Sequence, residues 1–377
     1  MIKRKITALI RKRMEDNKAI IVLGPRQSGK TTLVRELIQD SEKKFLWLSG
    51  DETDVRDLLS KPTSVRLKGI IGKNELLVID EAQRIENIGL CIKLITDNIP
   101  GVKVIATGSS SFELANKINE PLTGRKWEFF LLPFSFSEMA SHQGTQNEKR
   151  LLEQRMIYGY YPEVVNNAGD EPVRLKQLAD SYLYKDILTW EKIQKPDRLE
   201  KLVQALALQV GSEAKFSELG QITGLDNETV EKYISLLEKA FIVFRIGALS
   251  RNLRTELKKS RKIYFYDNGL RNAVINQFNT LDLRGDKGAL WENFLMTERL
   301  KHLHYEGISA SRYFWRTNTQ QEIDYLEERN GKLSAFEFKW KSKTVNKFPQ
   351  NFLKAYPGTQ TSVITHEDFE DFLGGKD

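Results

Sequence analysis

The sequence predicts an α/β protein: a parallel sheet covered by helices on both faces, followed by smaller helical and mixed units. Three observations carry that expectation. Short apolar runs rich in branched or aromatic residues recur at Ala19–Leu23, Phe45–Leu48, Leu76–Ile79 and Val102–Ala106, separated by helix-length stretches. A glycine-bearing segment, Gly24-Pro25-Arg26-Gln27-Ser28-Gly29-Lys30-Thr31, stands between the first run and a helix-like stretch, Thr32–Gln39. The run Leu76–Ile79 ends in two adjacent carboxylates, Asp80 and Glu81.

A length of 377 residues allows about two or three cores. Lysine and arginine number 58 against 51 acids, a surplus of +7 with pI 9.1. That balance points to an anionic partner, nucleic acid first, although modest basicity also occurs in proteins that touch none. The single cysteine, Cys91, excludes an internal disulfide, and with only four histidines no zinc cluster is expected. A cytoplasmic location fits. Met1–Arg13 is basic without an apolar core, and no segment approaches about eighteen uninterrupted apolar residues, so neither secretion nor membrane insertion is expected.

Ile2, Ile6, Leu9 and Ile10 fall at helical spacing among basic residues, which reads as a helix packed on the core or as a DNA-contacting arm. A last strand-like run, Glu128–Leu132, ends at Pro133. From Ser135 the pattern turns helical, through Tyr158–Val165 and Ala179–Trp190, where a lid would sit. Leu199–Val210, Phe216–Thr223 and Asn227–Lys239 are helix-sized blocks, and strand-like Phe241–Ile246 completes the outline of a winged helix-turn-helix. Its third helix presents Asn227, Glu228, Glu231, Lys232 and Ser235 outward, and the acids among them weaken major-groove reading. Arg251, Arg254, Lys258, Lys259, Arg261 and Lys262 follow, opposed only by Glu256, as a phosphate-touching wing or a solvated loop. Beyond Lys287 come a helix, Ala289–Leu303, and strands around Arg312–Arg316, Glu322–Glu327, Ser334–Trp340 and Thr361–Thr365. The expected domains are 1–140, the sheet core; 141–195, the lid; 196–250, the winged helix; 251–286, a basic linker; and 287–377, a C-terminal domain.

The segment Gly24–Thr31 matches G-x-x-x-x-G-K-[ST] in the strand-loop-helix context that the motif requires. Gly24, Pro25, Arg26, Gln27, Ser28, Gly29, Lys30, Thr31 and Thr32 would cradle the phosphates, with the backbone amides of the loop and of the helix N-terminus facing phosphate oxygens. Lys30 would neutralise the β/γ charge, and the Thr31 hydroxyl would ligate Mg²⁺. Asp80 would hold the same ion through water, and Glu81 would polarise the attacking water. The expected cofactors are therefore ATP and Mg²⁺. Ser109, at the tip of the Val102–Ala106 strand, reads as a sensor of phosphate or water, or as a plain turn. Arg125 would supply charge to a phosphate of the same or an adjacent subunit, or form a surface ion pair.

These residues resemble the AAA+ ATPases of bacteria and archaea that carry a C-terminal domain long labelled as of unknown function. The matching stretches are Gly24–Thr31, Ile79-Asp80-Glu81-Ala82-Gln83, Thr107-Gly108-Ser109-Ser110, Gly124-Arg125, Pro133-Phe134-Ser135-Phe136, Tyr161-Pro162-Glu163-Val164, and Tyr264 to Arg271, spanning nearly the whole chain. Tyr160 departs from the glycine more usual there, which bears on loop shape rather than chemistry. The resemblance implies an AAA+ core, a lid and a winged helix, with distant similarity to origin-recognition ATPases and to signalling ATPases with numerous domains.

A second candidate site lies in the C-terminal domain. Asp324, then Glu337 and Lys339 on one strand face, are similar to the restriction-endonuclease-like PD-(D/E)xK superfamily, and Glu292 matches its helical acid. The similarity implies Asp324 and Glu337 as Mg²⁺ ligands and Lys339 as a charge stabiliser, in a domain that either cuts or serves as a scaffold. The leading expectation is an oligomeric ATPase that binds or remodels DNA. The alternatives are an ATP-gated nuclease, or a nucleotide-dependent switch that binds protein through its winged helix.

Overall fold

The apolar runs of the N-terminal third become five parallel strands in a computed structural model that describes residues 2–39, 41–109, 122–181, 195–249, 261–317, 319–341 and 348–374. The chain divides into two units, Met1–Phe134 with Lys239–Phe241, and Ser135–Glu238 with Ile242–Asp377.

In the first unit the strands are β1 (Ala19–Leu23), β2 (Phe45–Ser49), β3 (Leu76–Asp80), β4 (Lys103–Gly108) and β5 (Lys126–Phe130), in the order β2-β3-β4-β1-β5. Every pairing is parallel. Strands β1, β3 and β4 are buried along their whole length, whereas β2 and β5, at the edges, are only partly covered. Burial on both faces is why the central strands are continuous apolar runs and not alternating ones. The register sets Leu23 beside Gly108 and Ile79 beside Ala106, so β1, β3 and β4 finish at one edge. The chain leaves β1 for the far edge, returns through β3 and β4, then crosses to β5, which makes β1 the topological switch. The strand expected at Glu128–Leu132 starts earlier, at Lys126, because Ala19 fixes its register. The N-terminal helix, Ile6–Arg11, buries Ile6 and Ile10, and Arg4 before it donates to the carbonyls of Ser28 and Leu132 at 2.8 and 2.6 Å. Its apolar stripe is therefore core, as one of the two readings of this helix expected.

The second unit opens on short helices, Phe136–Gln143, Thr145–Arg150, Leu152–Tyr158, Pro162–Val165 and Glu171–Ala179. The expected lid helix Ala179–Trp190 falls largely outside the described residues. Helices Pro196–Leu208, Phe216–Thr223 and Asn227–Lys239 follow. A seven-stranded mixed sheet then runs β12-β11-β10-β9-β7-β8-β6. Its strands are β6 (Glu213–Ala214), β7 (Val243–Ala248), β8 (Arg261–Phe265), β9 (Ser311–Arg316), β10 (Glu322–Arg329), β11 (Lys332–Phe338) and β12 (Gln360–Ile364). The hairpin of β7 and β8 joins the C-terminal strands directly, because β7 pairs in parallel with β9. Part of the stretch read as linker is thus interior: β8 and the helix Asn268–Val274 lie within it, both largely buried. The aromatic run Ile263-Tyr264-Phe265-Tyr266 carried the strand signal, and the basic residues before it hid it.

Buried polar side chains hold β8 to its neighbours. Asn293, fully buried on the helix Lys287–Tyr305, accepts from the amide of Phe265 at 2.8 Å and donates to its carbonyl at 3.1 Å and to Asn268 Oδ1 at 2.6 Å. Asp267 caps the helix Asn268–Val274 by accepting from the amide of Leu270 and also accepts from the amide of Tyr160 at 2.7 Å. A side chain at Gly159 would strike the Asp267 carboxylate at 2.0 Å, so only glycine admits this approach. Tyr160, the departure from the family pattern, is buried with its hydroxyl donating to Glu148 at 2.9 Å. Asn293→Leu strands both polar groups of Phe265 in an apolar interior. The expected loss is about 2–4 kcal/mol, measured as a lower urea midpoint at unchanged m-value.

Candidate functional site

The loop after β1 turns back on itself where only particular residues fit. A Cβ at Gly24 would lie 2.1 Å from the Leu131 carbonyl oxygen, so β1 and the segment after β5 approach in a way that requires glycine. Gln27 and Gly29 take positive φ, 58° and 92°, and the helix starts at Lys30. The Ser28 hydroxyl closes the turn by donating to the Pro25 carbonyl at 2.9 Å. Lys30 is buried, and its ammonium donates to the carbonyls of Gly24 and Pro25 at 2.9 and 2.8 Å. Burial pushes that ammonium down to about 8 against the pull of Glu81 and Asp80, with Arg26 adding to the depression. A desolvated cation held at the mouth of a loop is ready for a polyanion that would restore its favourable environment. Thr32 is exposed on the first helical turn.

The acids of β3 meet this loop from the neighbouring strand tips. Asp80 accepts from the Thr31 hydroxyl at 3.1 and 3.3 Å through its two oxygens, and also from the Thr107 hydroxyl on β4. The Thr107 oxygen in turn accepts from the Glu81 amide at 3.1 Å. Glu81 sits in the left-handed region, φ 48° and ψ 43°, a conformation that non-glycine residues adopt only where surroundings enforce it. Gly50 supplies part of that enforcement, since a Cβ there would lie 2.4 Å from the Glu81 carbonyl oxygen. The Glu81 carboxylate accepts from Gln83 Nε2, which also reaches the Ser109 hydroxyl at 2.9 Å. Hydroxyl and carboxylate oxygens are hard donors, and Thr31 with Asp80 fits Mg²⁺ by that chemistry.

The structure thus brings Lys30, Thr31, Asp80, Glu81 and Ser109 together and leaves Arg125 apart. Arg125 precedes β5, whose start pairs with Ala19 at the opposite end of β1 from the loop, and its guanidinium forms an ion pair with Asp97 at 2.6 Å. A same-subunit phosphate contact does not fit that position, since the length of β1 intervenes. Gln83 and Thr107 join the site without having been expected there. Both fall inside motif stretches, but their bridging depends on three strand tips meeting, which no local pattern reveals.

In the second unit, Glu292, Asp324, Glu337 and Lys339 share one side of the mixed sheet with Lys262, Tyr264 and Glu322. Glu292 Oε1 accepts from the Tyr264 hydroxyl at 2.6 Å and from Lys262 Nζ at 3.0 Å. Asp324 accepts from the amide of Phe338 at 2.8 Å, and Lys339 pairs with Glu337 at 3.1 Å. Burial, with Asp324 nearby, pushes Glu337 up to about 7 against the opposing pull of Lys339. Lys262, read in sequence as part of a phosphate-touching wing or a solvated loop, is buried and points into this cluster. Arg245 and Arg261 form ion pairs with Glu231, and Arg245 also with Glu238. Arg251, Arg254, Lys258 and Lys259 lie outside the described residues.

A glycine-bearing loop, a lysine and strand-tip acids at one edge of a parallel sheet define a P-loop, AAA-like ATPase fold. Comparison with known proteins agrees: residues 16–140 match a family described as an AAA domain. Residues 149–281 and 287–374 match two domains of unknown function, DUF8612 and DUF4143. The chain is 25% identical over 341 residues to an uncharacterized protein of Mycobacterium tuberculosis, covering 89% of this chain and 74% of that one. It is also 25% identical over 297 residues to an uncharacterized protein of Haemophilus influenzae, covering 73% and 71%. Among solved structures it is similar to a Walker-type ATPase of Pyrococcus abyssi, at TM-score 0.50 and 15% identity, covering 73% of this chain and 96% of that one. That likeness shows the fold. Among the described residues no helix is long and apolar enough to cross a membrane.

Gln83→Ala frees the Glu81 carboxylate while leaving the loop untouched. On the ATPase reading, turnover falls by on the order of tenfold or more with KM for ATP little changed; an equal change in both would make Gln83 part of nucleotide binding instead.

Proposed function

We propose that this protein binds ATP with Mg²⁺ and hydrolyses it, and that it uses the cycle to bind or remodel DNA. The observation that carries the ATPase reading is the meeting of Lys30, Thr31, Asp80 and Glu81 at one sheet edge, where Thr31 donates to Asp80 and Thr107 links Asp80 to the Glu81 amide. In it, Gly24 to Thr32 hold the phosphates, and Lys30 leaves the loop carbonyls to balance their charge. Thr31 and Asp80 hold the metal, which supplies charge neutralisation at the transferring phosphoryl group. Glu81 orients the attacking water and takes its proton, with Gln83 and Ser109 fixing the carboxylate. Arg125 is assigned to a phosphate on an adjacent copy in a homo-oligomer. The core is 1–140, the lid 141–195, the winged helix 196–250, the basic segment 251–286 and the nuclease-like domain 287–377.

Lys30→Ala is expected to weaken nucleotide binding beyond detection, while Glu81→Gln retains ATP and loses about a hundredfold or more in turnover. Fluorescent-nucleotide titration and phosphate release separate the two effects. Normal turnover in the second variant would remove Glu81 from its role.

The DNA reading is supported by the +7 surplus and the basic segment. Since Arg261 is ion-paired and Lys262 buried, the contact is assigned to Arg251, Arg254, Lys258 and Lys259. Replacing those four by glutamine should lower DNA affinity and reduce the slope of log K against log salt, by about 0.9 for each phosphate that is no longer neutralised. An unchanged slope places the DNA surface elsewhere. One observation favours a second reading, a switch that binds protein: the third helix exposes Glu228 and Glu231 and draws Arg245 and Arg261 into pairs. ATP turnover indifferent to single-stranded, duplex and branched DNA would select it. A third alternative, an ATP-gated Mg²⁺-dependent nuclease at Glu292, Asp324, Glu337 and Lys339, needs a cation among acids of which Glu292 and Glu337 are already paired with lysines.

A further inference from the structure

The acids that would hold a metal in the nuclease-like domain each meet a donor from the protein. Lys262 Nζ lies 3.0 Å from Glu292 Oε1 and in direct contact with Glu322 Oε1, and its side chain is only 2% exposed. Glu292 also accepts from Tyr264, and the other Glu322 oxygen faces Arg316 at 3.6 Å. Arg316 extends the chain of charges to Glu213 on β6 at 3.4 Å. Asp324 accepts a backbone amide, and Glu337 is paired with Lys339. Five carboxylates, Glu213, Glu292, Glu322, Asp324 and Glu337, thus face three cations, Lys262, Arg316 and Lys339. Among the described residues no group of three or more His, Cys, Asp or Glu side chains is arranged to hold a metal ion.

We infer that Lys262 is a resident cation that takes the place of a divalent metal, making this cluster a metal-independent charge lock of β8 against the helix Lys287–Tyr305 and β10. Lys262 does not swing aside as a surface lysine would. Its backbone is paired on both sides, to Ile246 of β7 and Glu213 of β6, and its ammonium lies 5.5 Å from the centre of the Phe314 ring. Gly211, at φ +74°, keeps the space beside Glu292 clear, since a Cβ there would lie 3.3 Å from the carboxylate. Burial works against the charge on Lys262, but Glu292, Glu322 and Asp324 more than offset it and hold the ammonium above its ordinary value. A divalent ion among these oxygens would have to sit against that fixed positive charge.

The test uses the nucleotide-free full chain, so that failure of the ATPase reading leaves it untouched. Mn²⁺ is titrated while free ion is followed by electron paramagnetic resonance, with thermal melting and DNA cleavage measured on the same samples. The wild type is expected to show no saturable Mn²⁺ binding at this cluster, no change of Tm with the ion, and no cleavage in Mg²⁺ or Mn²⁺. Lys262→Met removes the resident cation. It should melt lower, gain Mn²⁺ affinity by about tenfold or more, and recover Tm as the ion is added; the gain should vanish in Lys262→Met with Asp324→Asn. Lys262→Gln is the second variant should the methionine form fail to fold. Wild-type Mn²⁺ binding or cleavage that Asp324→Asn abolishes would overturn the inference, as would either folded lysine variant failing to gain affinity.

Discussion

Everything at the nucleotide-type site depends on one carboxylate. Asp80 accepts hydroxyls from both the loop helix, through Thr31, and β4, through Thr107, and so ties the tips of β1, β3 and β4 into one surface. This is possible because the three strands are buried along their length and end in register, which fixes their tips within hydrogen-bond reach. The same rigidity lets Glu81 hold a left-handed backbone conformation, with its amide on Thr107 and its carboxylate on Gln83. Strain of this kind persists only where packing over-determines it, and it re-aims the acid out of the strand.

The second unit shows how a mixed sheet can absorb charge. Its strands come from two regions that read as separate in sequence, yet β7 and β9 pair, and β8 lies between β7 and β6. The polar side chains that secure β8 are of two kinds. Asn293 satisfies backbone groups beyond the ladder, and Lys262 neutralises acids below it. Both kinds are buried, so removal of either leaves partners that water cannot reach.

The first sheet was legible in the sequence because parallel strands buried on both faces leave continuous apolar runs, and because the loop motif fixes the order strand, loop, helix. The loop, Asp80 and Glu81 could be read for the same reason. What the sequence left hidden depends on contacts between distant segments. The two roles of the stretch 251–286 are an example: its basic residues drew attention to solvent, while Lys262 and the aromatic run after it turn inward. Charge in a sequence window does not say which residues face water, since β8 is buried on both faces and that follows only once its neighbours are known. Gln83 was hidden for a related reason, because a glutamine beside two acids acquires its meaning only from Ser109, just beyond the end of β4.

The two acidic clusters differ in what satisfies them, and that difference decides what each can attract. Asp80 and Glu81 are held by neutral donors, two threonine hydroxyls and a glutamine amide, which fix the carboxylates without cancelling their charge. Lys30, the nearest cation to enter the balance, gives its hydrogen bonds to backbone carbonyls and not to the acids. A site built this way keeps its negative charge for a cation that arrives from solution. Glu292, Glu322 and Glu337 are held by ammonium and guanidinium groups of the chain itself, and their field is largely balanced before any ion approaches. Counting carboxylates therefore ranks the second cluster above the first as a metal site, and counting the charge of their partners reverses the order.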